Sequence, residues 1–197
     1  MRSLLAIPGL YSFFACIIGG NDARRYFVRE HVRPRPNDRV LDIGCGPADI
    51  LNFLPKVDYT GFDASADYID AARRKFGARG RFFSSTVSSV SLETKDFDLV
   101  IVIGVLHHLD DTKALKLIEL AHSALRQGGR LITIDGCYAP RQSVIARFFL
   151  DHDRGQHVRD QYGYEGLARK YFGNVTSTVR SDLLNIPYTH VILECIK

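Results

Sequence analysis

Two short segments in the first third of the chain carry the residue types and the spacing of a nucleotide-binding site. The first is residues 41–46 (LDIGCG), and the second is residues 61–64 (GFDA). Gly44 and Gly46 have no Cβ atom, so the backbone of the first segment can approach a ligand closely. Asp63 follows Gly44 by about 20 positions, the spacing of a carboxylate that binds the two hydroxyls of a ribose. Together these features predict a cofactor that contains adenosine.

The charges beside the glycines argue against a pyrophosphate in this site. A dinucleotide-binding loop reads G-x-G-x-x-G, and its third glycine lets the helix pack closely on the strand. Asp49 stands at that third position here. A bulky anion disfavours a diphosphate on both size and charge, whereas Asp42 suits a cationic sulfonium ligand with a free amino group. We therefore expect no binding of NAD.

Three histidines are candidates for accepting a proton during a reaction. His107 and His108 follow the fourth predicted strand, and His152 lies further along the chain. An imidazole has an unperturbed pKa near 6.5, which suits a general base at neutral pH. The sequence does not choose among the three, and a role in lining the cleft stays open for His107 and His108. Asp135 and Tyr138 follow the fifth predicted strand, where substrate contacts are common.

The cysteines and the net charge exclude several other classes of protein. Cys16, Cys45, Cys137 and Cys195 are far apart and form no CxxC motif, so we expect neither a metal site nor a secreted disulfide framework. Reduced thiols in a cytoplasmic protein are the simplest interpretation. The formal net charge is +4, which is too mild to indicate a nucleic-acid partner.

Buried strands and amphipathic helices alternate along most of the chain. Apolar runs predict strands at 39–43, 58–62, 81–84, 98–103, 130–135, 174–180 and 189–196, and helical spacing predicts helices at 65–76, 112–126, 143–150 and 164–172. This alternation predicts a Rossmann-like, doubly wound α/β fold: a seven-stranded, mostly parallel sheet with an antiparallel edge strand and helices on both faces. The glycine and acidic segments then follow strand ends at one edge of the sheet.

Four motifs in this order resemble those of class I S-adenosylmethionine-dependent methyltransferases. They are residues 40–46 (VLDIGCG), 61–65 (GFDAS), 97–109 (FDLVIVIGVLHHL) and 125–131 (LRQGGRL). The resemblance covers about residues 38–135, and the four motifs together are highly specific. The N-terminus and residues 136–165 are more loosely similar to small bacterial methyltransferases of unassigned substrate. The resemblance implies that the cofactor is S-adenosylmethionine and the product S-adenosylhomocysteine.

The resemblance also implies a role for individual cofactor-binding residues. Gly44, Cys45 and Gly46 would face the methionine part of the cofactor, Asp42 its amino group, and Asp63 the ribose with Ala64 beside it, while Ile103 and Gly104 would lie under the reacting end. The chain departs from the family at two places. Ala48 replaces a common glycine, and the stretch at 84–87 lacks the acid that often contacts the adenine. Thr86 or a backbone group is expected to make that contact.

The whole chain, 1–197, is expected to form one domain with three parts. These are an N-terminal helical lid at 1–36, a cofactor-binding half at 38–135 and a substrate-shaping half at 136–197. The apolar run at 4–18 is shorter than the roughly 20 residues of a membrane span and is interrupted at Pro8 and Gly9. We therefore expect residues 4–30 to form a mobile lid and no membrane span. Tyr11 on that lid would close over the cofactor, and a place in the core stays open for it.

The implied reaction is methyl transfer to a small-molecule acceptor by in-line displacement. A nucleic-acid methyltransferase is a first alternative, and a non-catalytic, cofactor-binding partner subunit is a second. Enzymes that methylate base amino groups commonly place an Asn/Asp-Pro-Pro-aromatic motif after the fourth strand. Residues 104–107 read GVLH at that place, so nucleic acid is not the expected acceptor. The acceptor itself and the oligomeric state are left open.

Overall fold

The computed structural model describes residues 20–86, 96–152 and 155–197. Tyr11 and the apolar run at 4–18 lie outside the described residues, so the lid stays a prediction for them. Helix α1 (Gly20–Phe27) continues into a π-helical turn, Val28–Val32. Phe27, Val28 and Val32 are buried in the core. This packing holds the described part of the N-terminal region against the rest of the domain.

The remaining helices and the strands follow the predicted alternation. The strands are β1 (Arg39–Ile43), β2 (Asp58–Asp63), β3 (Gly80–Ser84), β4 (Phe97–Ile103), β5 (Leu125–Tyr138), β6 (Arg159–Asp160), β7 (Asn174–Arg180) and β8 (His190–Ile196). The helices are α2 (Ala66–Phe76), α3 (Asp111–Ala124), α4 (Val144–Asp151) and α5 (Gln161–Ala168). Among the described residues, no helix is both long enough and apolar enough to cross a bilayer.

The strands form one mixed sheet in the order β3-β2-β1-β4-β5-β8-β7, and the short β6 pairs with β5 beside this row. Strands β1 to β5 pair in parallel, whereas β8 runs antiparallel to both β5 and β7. The predicted mostly parallel sheet with an antiparallel closing pair is confirmed. Within that pair, the reversed strand β8 lies one place in from the edge because β7 pairs on its outer side.

Helices cover both faces of the sheet, as predicted. One apolar cluster packs Leu117 and Ile118 of α3 and Leu167 of α5 against the sheet. A second cluster packs α1 and α2 against it, with Ile69 and Phe76 among its members. Strands that are covered on both faces must be apolar at nearly every position, which is why the runs in β1 and β4 are continuous.

Strand β5 is longer than predicted and begins at Leu125, directly after α3. The register with β4 shifts between Phe97 and Leu99, where the Gly128-Gly129 turn is accommodated. Gly128 has a φ of +74°, a conformation that favours glycine. The prediction placed these glycines before the strand, because a turn of this kind inside a strand has the same composition as a loop.

The change in strand order determines where a ligand can lie. The chain builds outward from β1 to β3 and then returns to place β4 on the other side of β1. Helices on opposite faces diverge at this point, and a crevice opens beyond the carboxyl ends of β1 and β4. The segments that were selected from sequence follow these strand ends.

Candidate active site

A cleft of about 1080 Å³ lies beyond the carboxyl ends of β1, β2 and β4. It brings together twelve of the thirteen site residues that the sequence predicts, while Tyr11 is outside the described residues. These twelve are Asp42, Gly44, Cys45, Gly46, Asp63, Ala64, Thr86, Ile103, Gly104, His107, His108 and His152. The roles assigned to them stay predictions, but their common location agrees with one site.

The glycine-rich turn after β1 is anchored to β2 and leaves open space above Gly46. The backbone N–H groups of Gly44 and Cys45 both donate to the carbonyl of Phe62, at 2.8 and 3.0 Å. Gly44 has a φ of +76°, and a Cβ atom there would lie 2.5 Å from Cγ2 of Val105. Gly46 has a φ of +55°, and a Cβ atom there would meet no protein atom within 4 Å. Gly44 is therefore required by the fold, whereas Gly46 keeps space free in the cleft.

The turn continues without the third glycine of a dinucleotide site. Ala48 takes a φ of +59°, so the position where relatives often have glycine keeps a left-handed backbone here. Asp49 then begins a single 3₁₀ turn, Asp49–Asn52, and its carboxylate pairs with Nζ of Lys75 at 2.8 Å. Because Asp49 also lines the cleft, a diphosphate would face an anion at this point.

Cys45 contributes to the shape of the turn and not to reactivity. A Cβ atom on Gly61 would lie 2.9 Å from Sγ of Cys45, so this thiol packs over a glycine of β2. Burial and the nearby carboxylates of Asp42 and Asp63 raise the pKa of the Cys45 thiol. The thiol therefore stays protonated and is a poor nucleophile at neutral pH.

Asp42 is a buried carboxyl group with one unpaired oxygen. It is 2% exposed, and Tyr59 donates its hydroxyl to Oδ2 at 2.6 Å. Oδ1 has no hydrogen-bond partner within the described part of the chain. Burial raises the pKa of Asp42 to about 7, against the opposing effect of the Tyr59 hydrogen bond, and Asp63 raises it further. A cationic amino group against Oδ1 would supply the missing partner.

Asp63 joins the glycine-rich turn to the start of α2. Its Oδ2 accepts the backbone N–H of Gly46 at 2.9 Å, and its Oδ1 accepts that of Ser65 at 2.8 Å. A carboxylate has about four acceptor positions, so two stay available for the adjacent hydroxyls of a ribose. Ser65 also caps α2 by accepting the N–H of Tyr68, as predicted.

The far end of the cleft combines predicted residues with others that the sequence analysis missed. Ser85 and Thr86 line it after β3, and a contact of Thr86 with the adenine stays a prediction. Tyr68 on α2, Arg24 on α1 and Lys113 on α3 also line the cleft. Tyr68 follows the capping serine by one helical turn, which is a signal that could have identified it. Arg24 and Lys113 carry no local signal, because helix-surface cations are common.

The three candidate histidines differ in their surroundings. His107 is 6% exposed, and its Nδ1 lies 2.9 Å from Oδ1 of Asp135 on β5. His108 is exposed, and its ring stacks on that of His107 with centroids 4.1 Å apart. His152 is exposed at the mouth of the cleft, where its Nδ1 lies 2.8 Å from the carbonyl of Phe148 at the end of α4. Only His107 combines burial with a carboxylate partner.

The substrate-shaping half predicted at 136–197 contributes little to the described lining of the cleft. His152 lines the cleft, whereas Tyr138 pairs with Asp151 at 2.8 Å outside it. Arg159 and Tyr164 instead support the loop and strand that carry the site. Arg159 donates to the carbonyls of residues 106 and 109, and the Tyr164 hydroxyl donates to the carbonyl of residue 136. These two residues hold the cleft wall from behind.

The strand order and the cleft define a Rossmann-like methyltransferase fold, and the comparisons with known proteins agree. A family model for a methyltransferase domain matches residues 40–129. Residues 40–129 therefore match a methyltransferase domain, and the chain has the class I fold of enzymes that use S-adenosylmethionine as their cofactor. That segment includes the glycine-rich turn, Asp63 and both histidines of the pair at 107 and 108.

Curated relatives are similar at low identity. The ribosomal RNA small subunit methyltransferase C of Cronobacter sakazakii is 27% identical over 159 residues, which are 77% of this chain and 45% of that protein. The protein of the same name from Salmonella arizonae is 28% identical over 155 residues, 75% of this chain and 44% of that protein. The chain thus spans less than half the length of these curated relatives.

Solved structures share the fold over most of the chain. A TehB-like SAM-dependent methyltransferase from Corynebacterium glutamicum has a TM-score of 0.69 at 19% identity, covering 98% of this chain and 99% of that one. A phosphoethanolamine N-methyltransferase 2 from Haemonchus contortus, solved with phosphomonomethylethanolamine and S-adenosylhomocysteine, has a TM-score of 0.72 at 16% identity, covering 90% of this chain and 52% of that one. At these identities the likeness shows the fold.

The residues of the cleft fit S-adenosylmethionine. The unpaired Oδ1 of Asp42 can accept its ammonium group, the open space at Gly46 admits its methionine part, and Asp63 retains two acceptor positions for its ribose. No phosphate has to be accommodated beside Asp49. These features of Asp42, Gly46 and Asp63 are properties of the structure and do not depend on the family match.

The raised pKa of Asp42 leads to a prediction about pH. Its folded-state pKa of about 7 lies above the ordinary aspartate value of 3.8, so the folded protein holds a proton that the unfolded chain releases. The free energy of unfolding should therefore fall as the pH rises from about 4 to about 7, and Asp42→Asn should remove this slope and stabilise the unliganded protein at pH 8 by on the order of 2–4 kcal/mol. Denaturant titrations across this range would measure it.

Cofactor binding should change with pH in the opposite direction. Between about pH 5.5 and about 7.5 an α-ammonium group stays charged, while Asp42 becomes a carboxylate that can pair with it. Calorimetry should show the affinity for S-adenosylmethionine rising across this window in the wild type and staying level in Asp42→Asn. An equal rise in the variant would show that Asp42 does not hold the amino group.

Proposed function

We propose that the protein transfers the methyl group of S-adenosylmethionine to a small-molecule acceptor by in-line displacement. The observation that carries the proposal is one cleft with a buried carboxyl at Asp42 that has one unpaired oxygen, a second carboxylate with two open acceptor positions at Asp63, and an imidazole paired with a carboxylate at His107. The first two residues hold the cofactor, and the third faces the acceptor.

The bound cofactor supplies an electrophilic methyl group on a sulfonium. The chain contributes position and shelter for the reaction. Asp42 and Asp63 fix two separate parts of the cofactor, and such orientation converts a bimolecular encounter into a directed one. Ile103 and Gly104 form the floor beneath the reacting end, and His107 lies one turn further along the same loop. Residues 38–135 thus form the cofactor-binding half in this proposal.

We assign the shielding of the acceptor from water to the other two parts of the chain, residues 1–36 and residues 136–197. His152 at the end of α4 lines the mouth of the cleft, which supports an acceptor-shaping role for the region after β5. Arg24 on α1 lines the same cleft, so this helix lies at its edge. We infer that residues 1–36 cover the reacting end, with Tyr11 among them.

A ribosomal RNA acceptor is the alternative that a specific observation favours, because the curated relatives carry that name. One observation weighs against it. Residues 104–107 (GVLH) contain neither the proline pair nor the aromatic residue of base-amino methyltransferases. The Haemonchus contortus fold neighbour, in contrast, was solved with a small phosphorylated amine. The small-molecule acceptor is therefore the first choice.

The test is a transfer assay with S-adenosylmethionine labelled with carbon-13 in its methyl group. The full-length protein is incubated with a small-molecule extract, with ribosomal RNA and with ribosomal subunits, each in a separate reaction. We expect the label in compounds of the small-molecule extract that gain one methyl group by mass spectrometry, and none in RNA. Label in RNA alone would establish the alternative, and cofactor binding without transfer to any pool would favour a non-catalytic partner subunit.

A further inference from the structure

The imidazole of His107 is held by a carboxylate that lies behind it. Asp135 Oδ1 is 2.9 Å from Nδ1 of His107 and also accepts the backbone N–H of His107 at 3.2 Å. Asp135 is 1% exposed and does not line the cleft, whereas His107 does. The order from solvent inward is therefore cleft, imidazole, carboxylate. A carboxylate in this place selects the imidazole tautomer that carries its proton on Nδ1.

The other ring atoms of His107 show where the opposite nitrogen lies. A Cβ atom on Gly104 would be 3.6 Å from Cε1 of the ring, and a Cβ atom on Gly155 would overlap Cδ2. Nε2 is bonded to both of these carbons, so it lies between the turn after β4 and the loop at Gly155. Gly104 is the residue beneath the reacting end of the cofactor site. The ring edge with Nε2 thus lies between Gly104, which lines the cleft, and Gly155, which does not.

The backbone around His107 is fixed by three hydrogen bonds from two residues. Arg159 donates to the carbonyl of Leu106 at 3.1 Å and to that of Leu109 at 2.7 Å. The backbone N–H of His157 donates to the carbonyl of His107 at 2.9 Å. Arg159 is itself paired with Asp111 at 2.7 Å. A loop that is clamped in this way holds its imidazole in one orientation, which a general base requires.

Asp135 places its carboxylate 2.9 Å from Nδ1 of His107, and other charged and titratable groups lie around this pair. His108 stacks on His107, and Arg159 lies behind the loop. Burial raises the pKa of Cys137 to about 12 and also raises the pKa of Tyr164, so both stay neutral. Oδ2 of Asp135 has no hydrogen-bond partner among the residues that the structure describes. That oxygen is buried, and its charge is compensated when the imidazole takes up a proton.

We propose that Asp135 is a positioning residue which makes His107 the general base for a hydroxyl acceptor. The inference rests on the proposed function and names its acceptor class. As the acceptor oxygen forms its bond to the methyl carbon, the carbon–sulfur bond breaks and its electron pair remains on sulfur. The hydroxyl proton passes to Nε2 of His107, so the positive charge of the sulfonium is replaced by that of an imidazolium beside Asp135. The products are a methyl ether and S-adenosylhomocysteine.

The first test needs no acceptor and measures the tautomer by NMR of the full-length protein labelled with nitrogen-15. His107→Asn assigns the His107 ring signals, because the Asn amide keeps a donor near Nδ1 and lacks a base. In the wild type, the His107 ring should carry its proton on Nδ1 and have an unprotonated Nε2. Asp135→Asn should lower the pKa of this ring or reverse its tautomer. His122→Asn on α3 is the matched control, since that ring packs against Phe172 away from the cleft. A wild-type ring protonated on Nε2 would overturn the proposal.

The second test uses the hydroxyl-bearing fraction of the small-molecule extract as the probe. His107→Asn should lower kcat by about 100-fold or more, the usual contribution of a general base. Asp135→Asn should lower kcat with KM and cofactor affinity unchanged within about threefold, and its rate should recover in part as the pH is raised. The carbon-13 shift of the product should be that of an O-methyl group.

The outcomes of the two tests separate this inference from the proposed function. Wild-type kcat in His107→Asn, or an N-methyl or S-methyl product, would overturn the inference while leaving methyl transfer to a small molecule intact. If Asp135→Asn lost cofactor affinity together with activity, Asp135 would have a role in the fold alone. That outcome would also contradict the inference. If no pool accepts the label, the proposed function fails, and the hydroxyl-acceptor inference fails with it, whatever the tautomer.

Discussion

Replacing Asp63 with alanine should weaken the binding of S-adenosylmethionine by about 30-fold or more and leave a folded protein. A hydrogen bond to a charged group contributes about 1.5–3 kcal/mol, and competition from water returns part of it. Two such bonds to the ribose hydroxyls then contribute about 2 kcal/mol or more to the binding free energy. This corresponds to the expected increase in Kd of about 30-fold or more. Isothermal titration calorimetry with the cofactor and its demethylated product would measure it.

The structure shows why this variant needs more than one control. The Asp63 carboxylate also accepts the backbone N–H groups of Gly46 and Ser65, so its loss disturbs the turn as well as the ribose contact. Asp63→Asn keeps one acceptor oxygen and should give an intermediate affinity. Asp67→Ala removes the same charge from the exposed first turn of α2 and should leave the affinity unchanged within about threefold.

A 2′,3′-dideoxy analogue of S-adenosylhomocysteine separates the two roles of Asp63. If the carboxylate binds the ribose hydroxyls, the wild type should lose affinity for the analogue, and Asp63→Ala should bind the analogue and the natural product about equally. This double-mutant logic isolates the contact from any change in the turn. If Asp63→Ala discriminated against the analogue as strongly as the wild type does, Asp63 would not bind the ribose hydroxyls.

The sheet could be predicted from sequence because burial on both faces leaves a strong local pattern. The runs in β1 and β4 are continuous and apolar, and most predicted strands agree with the structure to within a residue or two. The cofactor side of the site could be predicted for the same reason. Each of its elements is short and local, such as the turn at Gly44 and Gly46 or the acid that ends β2.

Pairs that form between distant parts of the chain could not be predicted in this way. Asp42 meets the Tyr59 hydroxyl across two paired strands, and nothing near Asp42 in sequence indicates that one of its oxygens stays unpaired. The sequence indicates His107 as a candidate base because it follows β4, and Asp135 as a candidate substrate contact because it follows β5. Their contact requires the parallel register of β4 with β5, which brings the two strand ends together. Arg159 contacts that same loop from about 50 positions away, so its role depends entirely on the tertiary structure.

The second large effect is expected at Gly46, where alanine should abolish most cofactor affinity at a small cost in stability. A Cβ atom there would meet no protein atom within 4 Å, so the added methyl group projects into open space of the cleft. The methionine part of the cofactor is assigned to that space. Overpacking by one methyl group costs about 1–3 kcal/mol, which corresponds to a rise in Kd of about 5-fold to about 150-fold.

Two glycines with a similar backbone provide the controls for this variant. Gly46 and Gly128 both have positive φ, at +55° and +74°, and both positions are uncrowded, but Gly128 lies in the turn within β5 away from the cleft. Gly128→Ala should therefore carry the same backbone cost of about 1–2 kcal/mol without any effect on binding. Gly44→Ala should instead lose stability first, because its new Cβ atom would lie 2.5 Å from Val105.

Thermal unfolding and calorimetry on these three variants decide between a cofactor role and a purely structural role for the turn. A cofactor role requires that Gly46→Ala match Gly128→Ala in Tm and differ from it in Kd. Ala48 supports the feasibility of the variant, since it already holds a φ of +59° two residues further along the same turn. If Gly46→Ala bound S-adenosylmethionine as tightly as the wild type does, the methionine part of the cofactor would have to lie elsewhere in the cleft.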